Sequence, residues 1–118
     1  MNVPNEIRLE TPATTETVQA TIQKMVEENE LLVFMKGNAL MPQCGFSAQV
    51  VEILKRMGAS FKTFDILKDE EVRQGIKEFS SWPTLPQVYY KQKFVGGCDI
   101  VTEMYQNGEL DRLIAAKA

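Results

Sequence analysis

The sequence predicts an α/β fold with a central four-stranded mixed sheet flanked by helices. Three observations carry that expectation. The run LLVFM, residues 31–35, is short, continuous and apolar, as a strand buried on both faces requires. Helical and strand-like segments alternate through the first half, and a right-handed strand-helix-strand crossover there makes the first two strands parallel. Two later strand-like runs, QVYY and KFVGG, flank Lys91-Gln92 and read as an antiparallel hairpin.

The elements follow in order. The stretch 1–14 has two prolines and no steady apolar period, which reads as a flexible N-terminal arm before a domain over 15–118. From Thr14, the residues Val18, Ile22, Met25 and Val26 recur at helical spacing, giving a first helix to about Asn29 with Glu16 in its first turn. After LLVFM, a loop KGNALMPQ leads into CGFSAQVVEILKRMG. There Val50, Val51, Leu54 and Met57 line one side, and Gly58 is a natural stop. SFKTFDIL suggests a strand, and DEEVRQGIKEFSS a short helix with Val72, Ile76 and Phe79 inward. WPTLP is a rigid turn before the hairpin. The last segment opens at Asp99 as a helical region broken at Asn107-Gly108. Met25, Met35 and Met57 suit core packing.

Composition narrows the function classes. A chain of 118 residues, 44% hydrophobic and 25% charged, is the size of one compact domain. Its net charge of -3 gives no overall attraction for nucleic acid or an anionic membrane. No apolar stretch approaches a membrane span, and the N-terminus shows no signal-peptide core or Arg-rich transit pattern. Two cysteines suit a reducing compartment, so the expectation is a cytoplasmic protein. The alternatives are the mitochondrial matrix or plastid stroma after removal of a targeting peptide. The absence of histidine excludes His-assisted nucleophilic catalysis, His-ligated zinc and Rieske-type clusters within the chain.

The chemistry concentrates at PQCGFSAQ, residues 42–49. An isolated cysteine is usually a buried structural thiol. Cys44 instead follows Pro42, precedes Gly45 and stands at a loop-to-helix junction. Free N–H groups and the positive end of the helix dipole there favour thiolate, which attacks disulfides or binds metal. Ser47 stands where a redox pair would have its second cysteine, so the local two-cysteine cycle is missing.

The order of elements, the Thr-Leu-Pro turn and the Gly-Gly-Cys-Asp before the last helix together resemble the thioredoxin-like fold. More narrowly, MKG (35–37), CGFS (44–47), WPTLPQ (82–87) and GGCDIVTEMYQNGEL (96–110) resemble the monothiol glutaredoxins over residues 18 to 114. Eight residues between the first strand and Cys44 fit the longer active-site loop of that subgroup.

That resemblance implies two cofactors, glutathione and a 2Fe-2S cluster. Such a cluster takes four ligands, usually thiolates. The family implies Cys44 from each of two protomers plus two glutathione thiols, in a cluster-bridged homodimer that transfers its cargo from scaffold to client proteins. Cys98 is the competing ligand source. Glutathione contacts are implied at Lys36, Arg73, Leu85, Cys98 and Asp99. Taken singly, Lys36 and Arg73 read as solvated surface and Asp99 as a helix N-cap. Trp82 either packs over the thiol-bearing loop or fills the domain edge. The position matching Pro86 follows a cis peptide in this fold. Two other roles remain open: glutathione-dependent oxidoreductase, with Cys44 attacking a glutathionylated protein, and regulatory partner of BolA-like proteins.

Overall fold

A computed structural model describes residues 5–114. The first four residues of the expected arm and the last four of the expected domain lie outside them. The fold is built around LLVFM, which forms β1, Leu31–Met35, and is buried along its whole length. Its side chains divide by parity, as strand geometry demands. Leu31, Val33 and Met35 enter one core cluster, and Leu32 and Phe34 enter the other.

The elements run α1 (Val18–Glu28), β1, α2 (Gly45–Arg56), β2 (Lys62–Asp65), a 3₁₀ turn (Ile66–Lys68), α3 (Glu70–Ser80), β3 (Gln87–Tyr90), β4 (Lys93–Gly96), α4 (Cys98–Gln106) and α5 (Glu109–Ile114). The sheet order is β2-β1-β3-β4. β1 pairs parallel with β2 and antiparallel with β3, which pairs antiparallel with β4, so the expected mixed sheet is present. α2, α4 and α5 supply the first cluster, with Val50, Leu54, Val101, Leu110 and Ile114. α1 and α3 supply the second, with Ile22, Val26, Val72 and Ile76 around Phe34. Phe34 meets Tyr89 edge-on at 5.7 Å and Phe64 at 6.1 Å.

Local chemistry sets the boundaries. The first helix begins at Val18 rather than Thr14, because Thr14 and Thr17 cap each other. The Thr14 amide donates to Thr17 Oγ1 at 3.0 Å and the Thr17 amide to Thr14 Oγ1 at 3.2 Å. Glu16 therefore lies before the helix. Asn29 ends it by donating from Nδ2 to the Met25 carbonyl at 2.8 Å. Asp69 caps α3 by accepting from the Val72 amide at 3.1 Å. α1 and α3 approach closely at Gly75, where a Cβ would stand 2.7 Å from Val18 Cγ2. The hairpin turn Lys91-Gln92 has both residues at positive φ, 51° and 72°. A two-residue hairpin turn prefers Asn-Gly there, which is why the sequence signal was weak.

Within the expected arm, the described residues 5–14 carry contacts that their composition does not announce. Glu6 bridges to Thr63 beside β2, Ala13 is buried, and Ile7 and Leu9 pack against the second cluster.

Four connections converge on one end of the sheet. β1 and β2 finish there, at Met35 and Asp65, and β3 begins there, with Gln87 opposite Phe34. β4 returns to it, with Gly96 opposite Val88. The loop after β1, the turn before β3 and the start of α4 are therefore neighbours.

Candidate functional site

The loop from Lys36 to Gln43 is closed on itself before it delivers Cys44. The Gln43 amide donates to the Lys36 carbonyl at 2.9 Å, and Gly37 bridges to Pro42. Asp65, buried at the end of β2, accepts from the Gly37 amide at 2.9 Å. Gly37 has φ 83°, and a Cβ on it would collide with the Met41 carbonyl, so only glycine fits.

Cys44 is the N-cap of α2, with extended backbone, and is partly exposed. Its side chain closes no capping hydrogen bond, yet its thiol is held below the ordinary value. The Ser47 amide is the chief cause. Burial works against it, and the Phe46 amide, the Lys36 charge and the Ser47 hydroxyl add to the lowering. The helix N-terminus expected from sequence thus acts through two named amides. Ser47 itself is fully buried, and its Oγ accepts from the Lys36 amide at 3.3 Å.

Beside the thiol lies a groove of about 200 Å³, lined by Phe46, Trp82, Thr84, Leu85, Cys98 and Asp99 among others. It brings together three of the five residues expected to contact glutathione. The Leu85-Pro86 peptide is cis, as expected. Close packing also shapes the groove: a Cβ on Gly97 would stand 3.2 Å from the Pro86 carbonyl oxygen and 3.5 Å from Trp82 Nε1. Trp82 both forms a wall and packs on Phe94 at 5.8 Å.

The remaining expected residues sit outside that wall. Lys36 acts on Cys44 by charge. Arg73, on α3, has its NH1 3.8 Å from Glu70 Oε1, while its Nε is buried with no hydrogen-bond partner among the described residues. One expectation is corrected. Asp99 is not the N-cap of α4; Gly97 is, and Asp99 is exposed in the first turn. The helix already begins at Cys98, which leaves Asp99 in its first turn, where it lines the groove.

The two thiols differ in character. Both are free. Cys98 is buried, and desolvation pushes its thiol up, helped by Asp99 and by Cys44 itself. Its Sγ lies 4.0 Å from Thr102 Oγ1, a weak contact that partly offsets the rise. Sequence reading missed Thr84 as a groove residue and Ser47 as a group acting on the sulfur. A polar residue one helical turn past the thiol was the only available signal for the last.

Comparison with known proteins agrees with this geometry. The glutaredoxin family model matches residues 31–95. A monothiol glutaredoxin of Synechocystis, described as ycf64-like and uncharacterized, is 57% identical over 96 residues, covering 81% of this chain and 90% of the relative. The chain belongs to the monothiol glutaredoxins. A probable monothiol glutaredoxin 2 of Rickettsia typhi is 48% identical, covering 79% of this chain and 84% of its own. The solution structure of reduced poplar apo GrxS14 superposes with a TM-score of 0.74 at 47% identity, over 84% of this chain and 91% of that one. The family's thioredoxin-like architecture is the one observed. Among the described residues no helix is long and apolar enough to cross a membrane, and no three His, Cys, Asp or Glu side chains group to hold a metal ion.

Proposed function

We propose that the chain carries a 2Fe-2S cluster between scaffold and client proteins. Cys44 from each of two copies and two bound glutathione thiols hold that cargo. The observation that supports this reading is the asymmetry between the thiols. Cys44 is partly exposed and favours thiolate, whereas Cys98 is buried and pushed up. One chain thus offers one good ligand, and a four-thiolate set needs three from outside.

The groove suits glutathione as the external source. Backbone N–H groups at the start of α4 suit one carboxylate of the tripeptide, and the exposed Asp99 suits its amine. The unpaired Nε of Arg73 and the Lys36 ammonium suit the other carboxylate. Leu85, before the cis peptide, offers backbone groups for strand-like pairing with the ligand. The exposed apolar side chains of Leu40, Met41 and Phe46, near Cys44, suit a partner such as a BolA-like protein or a second copy. A reducing compartment, cytoplasmic or organellar, suits two free thiols.

Anaerobic reconstitution with iron, sulfide and glutathione tests the reading, followed by visible absorption and mass in solution. A coloured, glutathione-dependent dimer is expected; Cys44→Ser abolishes it and Cys98→Ser largely preserves it. Equal colour without glutathione, or without Cys44, sinks the model. The lowered thiol of Cys44 also favours a second reading, release of glutathione from mixed disulfides. Negligible turnover of a glutathione mixed disulfide would set that one aside.

A further inference from the structure

Gln87 opens β3 with its side chain fully buried. A buried amide is costly unless each of its groups finds a partner. Here all of them do. Nε2 donates to the Trp82 carbonyl at 3.1 Å and to the Thr84 carbonyl at 3.2 Å, which uses both amide hydrogens. Carbonyls can only accept, so the nitrogen end must face them, and Oε1 is left to accept from the Tyr89 hydroxyl at 3.2 Å.

Tyr89 shares a strand face with Gln87, two residues on. Its ring is pinned by three others, Phe34 at 5.7 Å, Phe79 at 5.9 Å and Phe94 at 5.5 Å, so its hydroxyl arrives at a fixed place. Phe94 holds the Trp82 ring as well. At the other end of the turn, the Trp82 amide donates to Ser80 Oγ at 3.0 Å, and Ser80 Oγ donates to the Ile76 carbonyl at 2.9 Å. The main chain of the turn is thus tied both to the end of α3 and to the start of β3.

These ties skip one residue. No hydrogen bond among the described residues uses the amide or carbonyl of Leu85, which lines the groove. A residue with both main-chain groups unspent is what a short extended peptide pairs with. A fully satisfied buried network specifies one geometry. Methionine at position 87 would fill the same space without choosing where the Trp82 and Thr84 carbonyls point.

We propose that Gln87 and Tyr89 are positioning residues that hold the Trp82 and Thr84 carbonyls and thereby present the Leu85 main chain to a bound peptide, a role that rests on the glutathione reading of the groove.

The test is calorimetric titration of the full, reduced chain with glutathione and with glutathione methylated at its cysteine amide nitrogen, which cannot donate to the Leu85 carbonyl. Acrylamide quenching of Trp82, the single tryptophan, is measured without ligand. The parent is expected to prefer glutathione. Gln87→Met should lose about tenfold in affinity for glutathione and much less for the methylated peptide, because the two changes remove the same pairing. Its Trp82 should be quenched more readily. Tyr89→Phe keeps both carbonyl contacts but frees the amide to turn; it should show the same pattern with a loss of about two- to threefold, and it serves if Gln87→Met does not fold. Equal losses for the two ligands would mark a general loosening of the groove and overturn the proposal, as would unchanged affinities or unchanged quenching. A parent that binds neither ligand overturns the glutathione reading instead, and the quenching comparison then decides by itself whether Gln87 and Tyr89 hold the turn.

Discussion

The Lys36 amide donates to the Ser47 hydroxyl oxygen at 3.3 Å, and this leaves the Ser47 proton free for the sulfur of Cys44. A hydroxyl has one proton to give and two lone pairs to receive with. Occupying an acceptor position with the loop amide directs the donor toward the thiolate. The serine of CGFS thus has a positive task beside its inability to form a disulfide.

Ser47→Ala is accordingly expected to raise the Cys44 pKa, seen as an alkaline shift in ultraviolet thiolate absorbance against pH. The rise should be partial, because the Ser47 amide, the larger influence, survives the substitution. Denaturant unfolding should show a loss of about 1 kcal/mol, since the part-buried Lys36 amide loses its acceptor.

The two thiols should titrate and react in a fixed order. Near neutral pH Cys44 is expected to be alkylated well before Cys98, because the first is lowered and partly exposed and the second raised and buried. Stability follows the same signs. The depressed Cys44 pKa adds stability that is complete above the unfolded thiol value, about 8.5, and fades as pH falls through the lower folded value. The raised Cys98 pKa works in reverse: its stability is complete below the unfolded value and is lost as pH rises through the folded one. Cys44→Ser should therefore lose stability relative to the parent chiefly on the alkaline side, and Cys98→Ser should gain there. Melting temperatures across pH check both.

Gly37→Ala should be among the most damaging single-methyl additions in the chain. Its positive φ alone costs a side-chain residue roughly 1–3 kcal/mol. The collision with the Met41 carbonyl adds to that. A lowered urea midpoint is expected, together with slower Cys44 alkylation, because the displaced loop carries the thiol. An unchanged midpoint would mean that the loop has another conformation available.

Arg73→Ala tests the ligand reading at a residue outside the groove wall. Its ion pair with Glu70 is long and exposed, so stability should change by less than about 0.5 kcal/mol. Glutathione affinity, measured by calorimetric titration, should fall roughly tenfold if the guanidinium binds a carboxylate. Equal affinity would remove Arg73 from the site.

The legible parts of this fold were those with strong periodicity. α2 and α3 could be read because Val50, Val51 and Leu54, and Val72 and Ile76, repeat at helical spacing and are buried where expected. β1 could be read as doubly buried because its run has no polar residue. Boundaries were harder: side-chain bonds between Thr14 and Thr17 moved one helix start, and α4 opens from Gly97, which has no side chain to announce a cap, rather than from Asp99. Cys44 was legible from its place at a junction. Thr84 was not, because a groove wall assembled from α2, the turn before β3 and α4 has no signature in any one segment.

The doubly buried β1 has a further consequence. A strand with one wet face announces its alignment, because a slip by one residue would put polar groups in the core and apolar ones in water. LLVFM has no such face, so polarity along the strand cannot distinguish the true alignment from a neighbouring one. The decision passes to the strand's exit, where Met35 lies opposite Asp65 and the Asp65 carboxylate holds the Gly37 amide. One aspartate on the adjacent strand thus acts as an index mark for the ruler that sets how far Cys44 stands above the sheet.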